Sequence, residues 1–340
     1  MLLSRHFRLF LLLALFLSAC TSSNSTSSPT APVSSSAPAG TAVKIRLGYQ
    51  PTVVFAPIYV GIERGYFAEA GVDLALEPIQ ATQDAIVQLG AGNFEVAVAG
   101  GNAGVFNALQ RGLKFRIVAP VHSEKPPLST PLVISAKRTG EIKSIADLKG
   151  KTIGIVAPGA AIEYWVAQAL AKGNLSINDV TLKAMPFPNM PAALEQGSLD
   201  AAVLTEPLVT INKDKGVLAV LSDDFIHGFT ATYVFMNQDW MDKNPDAALG
   251  FMKGYLRATR DLQGNYMNAE IAAMIEKYTK VPAAVVQRAA TAQYSADGTV
   301  PLHDLETLQS FFMQRGLLTY KEPLDLKNIV DTKLAEEARR

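Results

Sequence analysis

Cysteine is almost missing from this chain: Cys20 is the only one in 340 residues. That excludes an intramolecular disulfide and, beyond residue 20, a cysteine nucleophile or a cysteine-rich metal site. A surplus of either charge is missing too, with 31 Lys and Arg against 31 Asp and Glu. A surface so balanced offers no dense positive stripe for a phosphate backbone, which excludes nucleic acid as a partner. After residue 20 no stretch of eighteen uninterrupted apolar residues occurs, so no later segment reads as a membrane span. The motifs His-Glu-x-x-His, Gly-x-Ser-x-Gly and the Gly-Lys-Ser/Thr phosphate loop are absent as well. His122 and His303 have no partner at metal-ligand spacing and read as structural or surface residues. Asp223, Asp224 and His227 form the one close set of metal-type ligands and read as a surface turn, so no metal is expected.

What is present begins with a targeting pattern. Arg5 and Arg8 precede the apolar run LFLLLALFL, which is too short to span a bilayer and suits a signal peptide over residues 1–19. Leu17-Ser18-Ala19-Cys20 follows, and it resembles the bacterial lipobox, whose cysteine is lipidated and becomes the mature N-terminus. Lipidation at Cys20 would partition acyl chains into the bilayer at about 0.8 kcal/mol per CH₂. Behind Cys20, residues 21–42 are Ser, Thr, Pro, Ala and Gly with Asn24 and with Val33 the one larger apolar residue, so residues 20–42 read as a lipidated cysteine and a flexible tether. An anchor and a tether place the folded part at the extracytoplasmic face of a cell membrane.

The remaining chain is 49% hydrophobic and long enough for two lobes. Period-two alternation predicts strands at 43–49, 72–77, 94–99 and 114–120, with helices at 55–64, 82–91 and 103–111 between them. The rhythm restarts with strands at 131–137, 151–156, 180–185, 201–204 and 217–221, and helices at 144–148, 162–172 and 191–196. After an extended stretch near 229–236, helices are expected at 245–263, 269–277, 282–292 and 302–315. This is an α/β chain with doubly wound, mostly parallel sheets. Extended stretches near 128–135 and 229–236 would cross between the units as a two-strand hinge. The expected division is 43–130 plus 231–335 for lobe I and 131–230 for lobe II.

These residues carry a family resemblance. Gly48-Tyr49-Gln50-Pro51, Phe55-Ala56-Pro57-Ile58-Tyr59-Val60-Gly61, Gly65-Tyr66-Phe67 and Gly71-Val72-Asp73 occur in order. Leu89-Gly90-Ala91-Gly92-Asn93-Phe94, residues 145–154 (IADLKGKTIG) and residues 193–201 (ALEQGSLDA) follow. Together, over about residues 43–320, they resemble the solute-binding proteins of ABC importers for nitrate, alkanesulfonates, taurine and thiamine-pyrimidine precursors. The resemblance implies a type II periplasmic-binding-protein fold, a small-molecule ligand, and permease and ATPase subunits as partners. It implies a monomer with no cofactor and no enzymatic activity. The opening phrases look like the members that bind thiamine-pyrimidine precursors or riboflavin. The chain lacks the Cys-rich stretch of pyrimidine-synthesising relatives, which keeps a synthase-like enzyme as the alternative class.

In open α/β sheets, ligands sit beyond the carboxyl ends of strands. That rule selects Tyr49, Gln50, Phe55, Thr82, Gly101 and Asn102 in the first unit. In the second it selects Gly159, Ala160, Tyr164, Trp165, Phe187, Asn189 and Glu206. Each has a purely structural reading beside this one, among them Glu206 as a solvated loop carboxylate, Trp165 as core and Gly101 as a turn. No Arg or Lys belongs to the set. Aromatic faces with amide edges suit a flat, uncharged heterocycle such as riboflavin. A thiamine-pyrimidine precursor or a small anion, such as nitrate, taurine or an alkanesulfonate, remains the alternative, since bare helix N-termini hold anions.

Overall fold

The computed structural model describes residues 42–79 and 82–340. Cys20, the leader and nearly all of the tether lie outside the described residues, and of Thr82 only the backbone position is described. Alternating segments build β1 (Val43–Tyr49), α1 (Ala56–Glu63), α2 (Tyr66–Glu69), β2 (Val72–Pro78), α3 (Thr82–Gly90), β3 (Val96–Gly100), α4 (Ala103–Gln110) and β4 (Phe115–Pro120). A second run gives β5 (Leu132–Ser135), β6 (Thr152–Ile155), α5 (Ile162–Lys172), β7 (Thr181–Ala184), α6 (Met190–Glu195), β8 (Ala201–Val203), α7 (Leu208–Asp214) and β9 (Leu218–Ser222). The chain then forms β10 (Thr232–Asn237), α8 (Gln238–Lys243), α9 (Pro245–Asp261), α10 (Ala269–Thr279), α11 (Ala283–Val286), α12 (Leu302–Gln314) and α13 (Thr332–Arg339).

The strands form two five-stranded sheets, ordered β2-β1-β3-β10-β4 and β7-β6-β8-β5-β9. Each has one antiparallel member, β10 in the first and β5 in the second, and the other strands run parallel. In both sheets that member is the strand the chain forms on arriving from the other lobe. The two lobes therefore share one topology, with the strand that follows β3 or β8 in order supplied by a crossing.

Sheets covered on both faces need apolar residues at successive positions, not only at alternate ones. Val96 and Val98 of β3 pack into a core with α1, α9 and α10, while Ala97 and Ala99 face a second core shared with α4 and α12. Helix α9 lies close against the chain between α2 and β2, where a Cβ on Gly250 would sit 2.4 Å from the Ala70 carbonyl oxygen. The second core continues through the inner face of the second sheet to Trp165 and Val166 of α5. A third, under α6 and α7, covers that sheet's other face.

The crossings pair with one another. Val121 N donates to Thr232 O at 2.8 Å, Glu124 N to Phe229 O at 3.1 Å, and Gly228 N to Glu124 O at 2.7 Å. The expected helix over 282–292 is a correction: only α11 forms. Residues 289–293 leave the helical path because Ser123 and Gln293 exchange backbone hydrogen bonds at 2.9 and 3.0 Å, and Ala292 O accepts the Tyr266 hydroxyl. Helices α2, α7, α8 and α13 were not anticipated.

Candidate functional site

The carboxyl ends of β1, β3, β6 and β8 face one cleft between the lobes. β1 runs into Gln50-Pro51-Thr52 and a 3-10 turn over Val53–Phe55, and β6 into residues 156–161, which enter α5. Gln50, Thr52, Phe55 and Gly100 line the cleft from the first lobe, and Val156, Ala160, Ile162, Trp165, Phe187 and Thr205 from the second. The crossings supply His122, Thr130, Ala231 and Thr232. The space within the cleft is about 130 Å³.

No Lys, Arg, Asp or Glu lines it among the described residues. Its polar groups are hydroxyls, one amide, one indole and one imidazole. Burial holds the His122 ring neutral, its pKa pushed down to about 4. Two carboxylates sit behind the lining. Glu124 accepts from Ser129 N and Ser129 Oγ, each at 2.8 Å, and Glu206 from Thr210 N and Thr210 Oγ1, each at 3.0 Å. Burial raises the pKa of both, and the Glu206 charge raises that of Glu124 further.

Two buried side-chain polar atoms find no hydrogen-bond partner among the described residues, Thr52 Oγ1 and Trp165 Nε1. Both residues line the cleft, one from each lobe. Leaving such an atom unpaired costs about 1–3 kcal/mol, so the two mark the cleft wall as incomplete by itself. Helix α5 opens at Ala160, Ala161 and Ile162, all in the lining, so a helix N-terminus with no side-chain cap also meets the cleft.

The lobes touch around this space. Ala103 N donates to Gly159 O at 2.9 Å, and Asn102 and Ala160 form an antiparallel bridge. Arg315 Nε reaches Glu163 Oε2 at 3.4 Å, Ala290 N donates to Glu206 Oε1 at 3.3 Å, and Arg288 pairs with Asp214.

Of the residues selected from sequence, Gln50, Phe55, Ala160, Trp165 and Phe187 come together in the lining. Tyr49 does not; it is buried in the first core with its ring edge-on to Tyr59 at 6.1 Å. Asn102 is spent as the N-cap of α4, where Oδ1 accepts from Val105 N at 3.0 Å. Gly101 is packed, and its N–H donates to Ala231 O at 2.7 Å. Gly159 holds the lobe contact with φ +73°, and its N–H donates to Glu163 Oε1 at 2.8 Å. Tyr164 packs against Phe229 and Phe311 beside Trp165, and Asn189 is exposed before α6. Glu206 is buried with its oxygens already engaged. Sequence reasoning did not select Thr52, Thr130 or His122 for the cleft; it read His122 as structural or surface, and the ring is buried and lines the cleft. The signal for His122 was its position two residues beyond β4, at a crossing.

The NMT1-like family matches residues 39–277. The chain is 27% identical over 276 residues to the nitrate/nitrite binding protein NrtA of Synechococcus elongatus, covering 72% of this chain and 62% of that protein. It thus spans about three fifths of that relative's length. It is 25% identical over 272 residues to the riboflavin-binding protein RibY of Chloroflexus aurantiacus, covering 77% of this chain and 75% of that one. A 4-amino-5-hydroxymethyl-2-methylpyrimidine phosphate synthase of Aspergillus parasiticus is 25% identical over 246 residues, with 68% of each chain covered. Among solved structures, the fold resembles the alkanesulfonate-binding protein SsuA of Xanthomonas axonopodis, with TM-score 0.69, 19% identity, and 85% and 98% of the two chains covered. It also resembles the nitrate-binding protein NrtA of Synechocystis, with TM-score 0.73, 15% identity, and 87% and 88% covered. These likenesses establish the two-lobed periplasmic-binding-protein fold.

Proposed function

The chain belongs to the NMT1-like family, and on that footing we propose that it is the solute-binding component of an ABC importer. It captures a small molecule between its lobes and passes it unchanged to a membrane permease driven by a separate ATPase. The observation that carries this reading is the pair of unpartnered polar atoms, Thr52 Oγ1 and Trp165 Nε1, brought to one cleft from opposite lobes. A ligand between them supplies what neither lobe supplies to the other. On this reading lobe I comprises 43–130 and 231–335, lobe II comprises 131–230, and the protein works as a monomer. Cys20 carries the lipid anchor and residues 21–42 the tether, which holds the binding domain at the extracytoplasmic face.

For the ligand we favour a flat, uncharged heteroaromatic compound, with riboflavin the specific candidate. Phe55, Phe187 and Trp165 offer ring faces, and among the described residues the lining has no cation to balance an anion. Of the two binding proteins compared by sequence, RibY matches over 75% of its own length and the Synechococcus elongatus NrtA over 62%. A second reading, a small oxyanion, is favoured by the α5 N-terminus and by the modest space within the cleft, about 130 Å³. A synthase-like role has less support, because the lining holds no amine, thiol or carboxylate among the described residues.

Mass spectrometry of compounds extracted from protein expressed in a vitamin-rich medium tests all three. Riboflavin recovered intact at one per chain is the expected result, together with a rise in melting temperature when it is added. Trp165→Phe and Thr52→Val should weaken capture without lowering the melting temperature of the ligand-free protein, because each removes an unpaired polar atom. Stabilisation by nitrate or taurine but not by riboflavin would transfer the reading to the oxyanion. Release of a compound chemically altered from the one supplied would overturn the binding role.

A further inference from the structure

His122 stands in the first crossing and Thr232 in the second, 110 residues apart, yet the Thr232 hydroxyl lies 2.5 Å from His122 Nδ1. The same hydroxyl oxygen is 3.3 Å from the His122 backbone N–H, a group that can only donate. The oxygen is therefore an acceptor toward the backbone, which leaves its proton and its second lone pair for the ring. Giving the proton to Nδ1 places the neutral imidazole's hydrogen on Nε2, whereas accepting from Nδ1–H would leave Nε2 bare. Among the described residues the ring has no carboxylate in hydrogen-bond reach: Glu124 Oε1 is 3.9 Å from Nε2, and its group is engaged by Ser129. The ring is itself buried, about 7% exposed, and lines the cleft together with Thr232 and Thr130.

We propose that His122 is a ligand-recognising residue which presents a neutral Nε2–H donor at the floor of the cleft, its tautomer set by Thr232 across the hinge. This rests on the binding function proposed above and sharpens it. The captured molecule must bring an acceptor to the hinge, either a carbonyl oxygen or ring nitrogen of a neutral heterocycle or an oxygen of an oxyanion. Because donor and tautomer-setting hydroxyl come from different crossings, the site is complete only where the crossings pair. Recognition and hinge geometry are thereby one arrangement.

Two measurements test this on the purified protein. Long-range ¹H–¹⁵N spectra of the imidazole rings, with the His122 signals identified by their loss in His122→Gln, should show the Nε2–H tautomer at pH 7. Thr232→Val should release that preference. A Nδ1–H tautomer or an imidazolium at pH 7 in the unaltered protein overturns the proposal, whichever ligand is found. Calorimetric titration with riboflavin, sodium nitrate and taurine provides the second readout. For whichever probe binds, His122→Phe should weaken binding about tenfold. His122→Gln, whose amide nitrogen reaches where Nε2 does, should stay within about threefold. Equal affinity in the unaltered protein and His122→Phe overturns this inference and leaves the binding function standing. Failure of all three probes refutes the ligand assignment, and the tautomer spectra still decide the role of His122.

Discussion

Burial decides the charge of the groups around the hinge, and it acts on bases and acids in opposite directions. The His122 pKa is pushed down to about 4 by desolvation, against about 6.5 for an unperturbed histidine. Between those values the unfolded chain binds the extra proton, so the neutral ring's contribution is complete above about pH 6.5 and lost as pH falls toward 4. Glu124 and Glu206, raised mainly by burial, act the other way: their contribution is present at low pH and declines as pH rises through their folded values. Comparing the protein with His122→Gln isolates the histidine. Urea unfolding at pH 7, 5.5 and 4.5 should show the unaltered protein losing up to about 3 kcal/mol more than the variant over this range. Parallel pH profiles for the two would refute the assignment. Little of this was legible beforehand. Sequence shows a histidine without nearby ligands, whereas its chemistry comes from Thr232, 110 positions away.

Elements were easier to read than side chains, because strand and helix periods are local. The alternating segments from 43 to 120 became β1–β4 and α1, α3 and α4 within a residue or two, and glycines marked the turns. The exception, α11, failed because the apolar spacing of 282–292 is helical while Ala290 N is claimed by Glu206, Ala292 O by Tyr266 and the backbone of Gln293, just beyond, by Ser123. A tertiary partner outbid the local period. Short α7 was hidden behind Pro207, and α8 and α13 are too short or too polar to display a clear stripe. At this scale Gly159 is the informative position. It has φ +73°, and a Cβ there would lie 3.0 Å from the Ala103 Cβ across the lobe contact. Gly159→Ala should cost about 1–2 kcal/mol from the left-handed backbone and weaken ligand binding as well. Gly216→Ala, at φ +68° with nothing near, should cost similar stability and leave affinity alone. Denaturant titration and calorimetry on both variants separate the effects; equal affinities would remove Gly159 from the closing surface.

At the scale of the whole molecule, the cleft exists because two lobes of one topology meet. Arg315 at the end of α12 and Glu163 in α5 contribute to that meeting, with Glu163 almost fully buried and Arg315 about a third exposed. Arg315→Leu should reduce the fraction of closed molecules and so weaken apparent affinity about threefold, since only the closed fraction binds tightly. Small-angle scattering should show a larger radius for the ligand-free variant than for the unaltered protein, converging when ligand is added. No change in either quantity would mean the pair is a bystander. The amino-acid order alone determined the alternation of strands and helices, the lack of Arg and Lys among the candidate residues, the targeting pattern at Cys20 and the crossings that make two lobes. Those features are local or compositional, and they follow from period, turn chemistry and charge count. Only the tertiary structure decided which loop residues line the cleft. Asn102 is consumed by a helix end, Tyr49 by a core and Glu206 by α7, while Thr52, Thr130 and His122 came to the lining unannounced. A polar side chain's role depends on which partners reach it first, and those partners arrive from distant positions only when the lobes are packed.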